Sequence, residues 1–257
     1  INDYPILIQC QTIYNNPDRV KYDKIEEKNA YVEKELFSTA KYVAIPTQMH
    51  YDLFKKLDSK ALVFDWQAKT PIMDVEYDGP KEYDFVTFAV NMCEKKGYFD
   101  AIKALAIVKE KYPHVMLNLV GGGQESVKQE LKNLSVVLGV EKNIVFTSFF
   151  ENQEDLFRHI QKSRFALLPC KLDHISGTMV QAMHYGLPLV CYATSGTPQF
   201  NKEKECALIA KMNNVEQLAE KMMELLRDPD KAKILRINAL ERLKKKNNME
   251  TCTERLV

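Results

Sequence analysis

DHISGTMVQAMHYGLPLV, residues 173–190, decides how this 257-residue chain folds. From 173 to 178 every residue but Ile175 is polar or small. Residues 178–185 then make about two helical turns, with Met179, Val180, Ala182 and Met183 directed at a core. Gly186 stops the helix, because a glycine past the last turn takes the left-handed conformation that ends it. Residues 187–193 read as a strand. A polar loop, a short helix and a strand in this order make one crossover of a parallel α/β sheet.

The same alternation runs on both sides of this stretch. Strands are expected at 83–91, 115–121, 143–149, 165–170, 187–193 and 206–211. Between them lie helical patterns such as 126–138, where Val127, Leu131, Leu134 and Leu138 recur every three or four residues. After the last strand Asn214 can cap a helix that carries Val215, Leu218, Ala219, Met222, Leu225 and Leu226 on one face. The expectation is an open, doubly wound parallel sheet covered on both faces.

Glycine placement points to one edge of that sheet. Six of the nine glycines, Gly97, Gly121, Gly122, Gly123, Gly177 and Gly196, fall just after strands, on the edge where such sheets bind ligands. The N-terminus of the 178–185 helix is presented there too. Its unpaired amides and dipole suit an anion, Ser176 and Thr178 can cap it or donate hydroxyls, and Gly177 lets a phosphate approach the backbone. Gln181, one turn in, leans back toward the same place. The glycine before the helix would admit a ligand and the glycine after it ends the helix.

The first 80 residues are built differently. Strands are expected at 4–11, 41–47 and 61–66, helices at 22–39 and 48–57, and a polar linker at 74–81. That is a small set for an α/β domain, and it reads as the latter part of one. The domain expectation is therefore 1–80, an acceptor-side piece plus linker, and 81–257, a nucleotide-binding domain with C-terminal helices. The last helical pattern, 231–248, is basic. It reads as a solvated face, with peripheral contact to the inner membrane surface as the alternative.

Composition excludes several classes. With 46% hydrophobic and 28% charged residues the chain can bury an ordinary core. A net charge of +1 gives no footprint for nucleic acid. No apolar run reaches the roughly 18 residues of a membrane span, and no signal-peptide pattern opens the chain. The six cysteines show no metal-ligand spacing, which points to a reduced, cytoplasmic protein.

The stretch from Asp173 to Val190 resembles the retaining glycosyltransferases of family 4, whose GT-B fold faces two Rossmann-like domains. That family carries two glutamates separated by seven residues, then an EAMA-G-P-V continuation. Asp173 and Gln181 stand at the matching positions here. The family order continues in KKG at 95–97, LNLVGGG at 117–123, NIVFTSFF at 143–150, LFRHIQKSRFALLPC at 156–170 and TSGTPQ at 194–199. The resemblance spans about residues 83–230 and, more loosely, 30–66.

It implies a GT-B-like chain: a Rossmann-like C-terminal domain preceded by the latter part of an N-terminal Rossmann-like domain. It implies a sugar moved from a nucleotide donor to a glycan or lipid-linked acceptor with retained configuration, without cofactor or metal. By that resemblance Lys96 meets the donor phosphates and Asp173 the donor sugar. Ser176, Gly177, Thr178 and Met179 cradle the diphosphate through their backbone, and Gln181 meets the ribose. Gly121, Gly122, Gly123, Ser148 and Phe149 line the nucleotide end. Asn91 stands where the family usually has an arginine, and Gln181 is neutral where it has a glutamate. A nucleotide-binding or interaction module without turnover is the alternative, and a dehydrogenase a weaker one, since no acidic residue is clearly placed about 20 positions past GGGQE.

Overall fold

A computed structural model describes residues 7–9, 24–40, 42–45, 62–65, 73–171, 175–194 and 196–246. The expected helix at 48–57 and the candidate Asp173 lie outside them, as does His174. The chain divides into two compact units, residues 1–69 with 245–257 and residues 70–244. In the first, β1 (Leu7–Gln9), β2 (Tyr42–Ile45) and β3 (Leu62–Asp65) form a parallel sheet in that order, and α1 spans Lys24–Thr39.

The second unit is a six-stranded parallel sheet. Its strands are β4 (Tyr83–Asn91), β5 (Leu117–Gly122), β6 (Ile144–Thr147), β7 (Ser163–Leu168), β8 (Leu189–Tyr192) and β9 (Ala207–Ala210). Their order across the sheet is β6-β5-β4-β7-β8-β9. The chain winds outward from β4 to β6, returns to the middle, and winds outward the other way. Between β4 and β7 the direction reverses, and a crevice opens beyond the strand ends at such a switch point.

Side-chain alternation with period two explains both covered faces. Phe85, Leu117, Leu119, Phe165, Leu167 and Val190 join one core with α2 (Tyr98–Lys111), α3 (Glu125–Val137) and α6 (Val215–Arg227). Val86, Phe88, Val120, Ala166, Leu168 and Leu189 join the other. That face is covered by α4 (Gln153–Ile160), α5 (Gly177–His184) and the later part of α7 (Pro229–Lys246). In α6, Leu218, Ala219, Met222 and Leu225 form the buried stripe, and the Asn214 side chain accepts from the Gln217 amide at 2.8 Å. Each buried leucine contributes about 2 kcal/mol, and such a cap about 1 kcal/mol.

Residues 74–81, expected as a polar linker, lie within the second unit and pack against α4. Val75 is buried, its carbonyl accepts from Gln161 Nε2 at 3.2 Å, and Lys81 Nζ donates to the Gln161 carbonyl at 2.5 Å. A cation at the last carbonyls of a helix is favoured by the helix dipole, and Gln161 closes α4.

Candidate functional site

The site begins where β4 and β7 end. After β4 the chain makes a 3₁₀ turn, Glu94–Lys96, closed by Lys96 N–H to the Cys93 carbonyl at 3.2 Å and Gly97 N–H to the Glu94 carbonyl at 2.8 Å. Gly97 has φ 82°, and a Cβ there would stand 2.1 Å from the Pro169 carbonyl oxygen at the end of β7. Only glycine accepts both the backbone angle and that approach. The two loops are thereby pressed together, and the Lys171 amide donates to the Lys95 carbonyl at 2.9 Å.

On the β7 side, Ser176 is the N-cap of α5 and is buried. Its hydroxyl shares a 2.7 Å hydrogen bond with the Thr178 hydroxyl rather than capping the helix. The Met179 amide donates to the Ser176 carbonyl at 3.0 Å, and the Met179 side chain lies in the core, so Met179 offers no donor at the helix end. Among the described residues, the amides of Gly177 and Thr178 meet no acceptor. They are the first donors of α5, aimed at the crevice with the helix dipole behind them.

Beside that helix end lies a cavity of about 110 Å³. Phe88, Val120, Leu156 and Phe157 are among its apolar walls; Gly121, Phe149, Thr178 and Gln181, all singled out from sequence, line it too. Phe149 is half exposed at 52% and stands over Gly122, where a Cβ would meet its own Cβ at 3.4 Å. The Tyr98 hydroxyl, fully buried, donates to the Val120 carbonyl at 2.6 Å and holds the end of β5 from below. Burial pushes its phenol far above the usual range.

The remaining sequence candidates are placed as follows. Asn91 is exposed as the last residue of β4, opposite Gly122 in register, and does not line the cavity. Ser148 is also exposed and outside it. Lys96 is half-buried in the 3₁₀ turn. His184 packs edge-on against the Tyr185 ring at 5.0 Å, and burial lowers its pKa, opposed by the Asp74 carboxylate. Phe88, Ala89, Val90, Phe150 and Gln153, which are not among the sequence candidates, also line the cavity. Phe88 to Val90 lie just before the end of β4 at the switch point, and that position is the available signal. Among the described residues, no three His, Cys, Asp or Glu side chains cluster to hold a metal ion, and no helix is long and apolar enough to cross a membrane.

A six-stranded doubly wound sheet with a glycine-lined crevice at its switch point defines an α/β protein of the Rossmann-like class. The chain belongs to the glycosyl transferases group 1 family, whose sequence profile matches residues 72–242. An uncharacterized glycosyltransferase of Haemophilus influenzae is 28% identical over 136 residues, 52% of this chain and 37% of that protein. A GDP-mannose-dependent α-(1-6)-phosphatidylinositol monomannoside mannosyltransferase of Mycolicibacterium smegmatis is 25% identical over 145 residues, 54% of this chain and 37% of that protein. The match thus spans little more than a third of these relatives.

Among solved structures, a variant of S. aureus TarM in complex with Fondaparinux, α-GlcNAc-glycerol and UDP is similar with a TM-score of 0.80 and 17% identity, over 97% of this chain and 49% of that one. Anabaena HepE in complex with UDP and glucose gives a TM-score of 0.78 and 16% identity, over 98% of this chain and 70% of that one. At these identities the likeness is one of fold. The fold class is that of the GT-B glycosyltransferases, as the sequence led one to expect.

Proposed function

We propose that the protein transfers a sugar from a nucleoside-diphosphate donor to a glycan or lipid-linked acceptor with retention of configuration. The observation that carries this is the meeting of Gly121, Phe149, Thr178 and Gln181 around one cavity beside the unpaired amides of α5. In this reading the cavity takes the nucleoside, Gln181 hydrogen-bonds the ribose, and the Gly177 and Thr178 amides take the diphosphate. Lys96 meets the charge that builds on the departing diphosphate, where a preorganised cation is worth most. Asp173 is assigned to the donor sugar. No protein nucleophile, cofactor or metal is invoked: the leaving phosphate assists the acceptor on the same face, and helix dipole and lysine carry the charge.

The ligands of similar proteins support a donor of this kind. TarM and HepE were crystallised with UDP, and the mycobacterial relative is GDP-mannose-dependent. The family is also consistent with polysaccharide biosynthesis. Cys93, Cys170, Cys191 and Cys206 are free thiols, which supports a reducing, cytoplasmic setting, with peripheral membrane contact where the acceptor is lipid-linked. The second reading, binding without turnover, is favoured by Asn91 and Gln181, which leave the edge one cation and one carboxylate short of the family pattern.

Thermal unfolding against UDP, GDP, ADP, their sugar conjugates and NAD tests the reading. A ligand at about 100 times its Kd adds roughly 2.7 kcal/mol. One nucleoside diphosphate should raise the midpoint, and Lys96→Ala should abolish the rise. A shift with NAD instead, or with none of the panel, overturns the donor assignment. Sugar transfer by the full-length protein, lost in Lys96→Ala, separates turnover from binding alone.

A further inference from the structure

Lys171 leaves the end of β7 and turns its side chain inward. Its Nζ lies 3.0 Å from Asp100 Oδ2 and 3.6 Å from Glu94 Oε1, with the Lys171 and Asp100 side chains only 10% and 5% exposed. Asp100 belongs to the first turn of α2 and also accepts from the Tyr192 hydroxyl of β8 at 3.0 Å. Glu94 opens the 3₁₀ turn that ends in Lys96. One ammonium therefore joins the exit of β7, the turn after β4 and the start of α2, and Tyr192 extends the network to β8.

A buried ion pair adds little net stability over an apolar replacement, because desolvating both charges offsets their attraction. What it adds is geometry, since losing either partner leaves the other, largely buried, with only longer ion-pair contacts, Lys171 with Glu94 at 3.6 Å or Asp100 with Lys103 at 3.8 Å. Here it acts together with two backbone ties, Lys171 N–H to the Lys95 carbonyl and Gly97 against Pro169. Its single positive charge also offsets part of the negative charge of Asp100 and Glu94 on the edge where an anion is to sit. Left unpaired, these carboxylates would oppose anion binding.

We propose that Lys171 is a positioning residue of this site: through Asp100 and Glu94 it fixes the Glu94–Lys96 turn, and so the place of Lys96, against the exit of β7. Its consequence for ligand affinity rests on the donor-site reading above; its effect on the turn does not. Removing the ammonium frees Glu94, leaves the buried Asp100 with the Tyr192 hydroxyl and the more distant Lys103 ammonium at 3.8 Å, and loosens the amides of Lys96 and Gly97.

Hydrogen exchange followed by mass spectrometry on this chain tests the proposal, with wild type, Lys171→Met, Lys171→Arg and Glu94→Gln. In Lys171→Met the peptide 93–98 should exchange at least about tenfold faster, with α6 and β9 unchanged. Lys171→Arg should keep the wild-type protection. Glu94→Gln alters a side chain that is 74% exposed, so it leaves folding intact and should loosen the same peptide to a smaller degree. Unchanged exchange at 93–98 in both Lys171→Met and Glu94→Gln overturns the proposal. So does a uniform loss of protection across residues 70–244 in Lys171→Met with no local effect in Glu94→Gln, which would make the pair a general prop. In a parallel titration with UDP, GDP and ADP, Lys171→Met should weaken the bound nucleotide by at least about tenfold, and Lys171→Arg should restore it. If wild type binds none of the three, the donor reading fails on its own, and the exchange comparison still decides the role of Lys171.

Discussion

The Tyr185 hydroxyl, one residue past the end of α5, donates to the Met73 carbonyl at 3.0 Å and accepts from the Met73 amide at 3.3 Å. One phenol thus takes up both backbone groups of a residue 112 positions away and fastens the segment before β4 to the helix whose other end faces the crevice. The ring itself rests on Phe157, with centroids 4.7 Å apart. Tyr185→Phe keeps that packing and removes the hydroxyl. The expected cost is about 1 kcal/mol, or about 2–4 °C in the unfolding midpoint of a domain this size. An unchanged midpoint would mean that water replaces the phenol at no cost.

Gly97 and Gly139 form a matched pair. Both have positive φ, 82° and 67°, but a Cβ at Gly139 meets nothing within 4 Å, whereas one at Gly97 runs into the Pro169 carbonyl. Gly139→Ala should cost only the left-handed strain, about 1 kcal/mol. Gly97→Ala should cost about 3 kcal/mol or more, because the two loops must also part. Urea unfolding of the two variants side by side gives the difference. Equal losses would show that the β4 and β7 exits are not held by this contact.

Stability should fall on acidification below about pH 6.5, and His159 should carry part of the fall. Its ring lies half-buried against β5, where its Nε2 and Asn118 Nδ2 are 2.6 Å apart, with the amide as donor and neutral imidazole as acceptor. Burial lowers its pKa from the usual 6.5, helped by the Lys162 ammonium and opposed by the Glu82 carboxylate. A base with a depressed folded pKa binds fewer protons folded than unfolded. Its contribution is whole above the unfolded value of 6.5 and is lost as pH falls from there toward the folded pKa. His184 is shifted the same way, again mainly by burial. His159→Gln should therefore flatten part of the slope between pH 7 and 5 in urea titrations, and His159→Gln with His184→Gln more of it. A slope that neither change alters would assign the acid loss to carboxylates.

The strands of the second unit were legible because they are apolar on both faces, and their errors have local causes. The reading carried the third strand of this sheet on to Phe149, but its ladder with β5 ends at Val120 and Thr147, so Ser148 and Phe149 leave the sheet and the aromatic ring reaches the cavity mouth. The fourth begins two residues earlier than its apolar run, at Ser163, whose polar side chain hides a strand position paired with Tyr83. It stops before Pro169, which has no amide for the ladder. The glycine-marked edge and the helix at 177–184 were readable from local chemistry. Contacts between distant residues were not. Nothing near Lys171 announces Asp100, nothing near Met73 announces Tyr185, and Asn118 in an apolar strand gives no hint of His159.

Phe149 offers a test of the cavity that separates binding from folding. At 52% exposure its ring contributes little to the core, so Phe149→Ala should change stability by less than about 1 kcal/mol. In the proposed reading that same exposed ring gives a nucleobase a face to stack on, worth about 1–3 kcal/mol per base. The nucleoside diphosphate that stabilises wild type should therefore bind at least about tenfold more weakly to Phe149→Ala. Phe88→Ala, in a side chain that is 2% exposed and also lines the cavity, should lose both stability and binding. Calorimetric titration of each variant, with unfolding curves taken in parallel, resolves the two effects. Wild-type affinity in Phe149→Ala would move the base out of this cavity and leave the α5 amides alone as the anchor for the diphosphate.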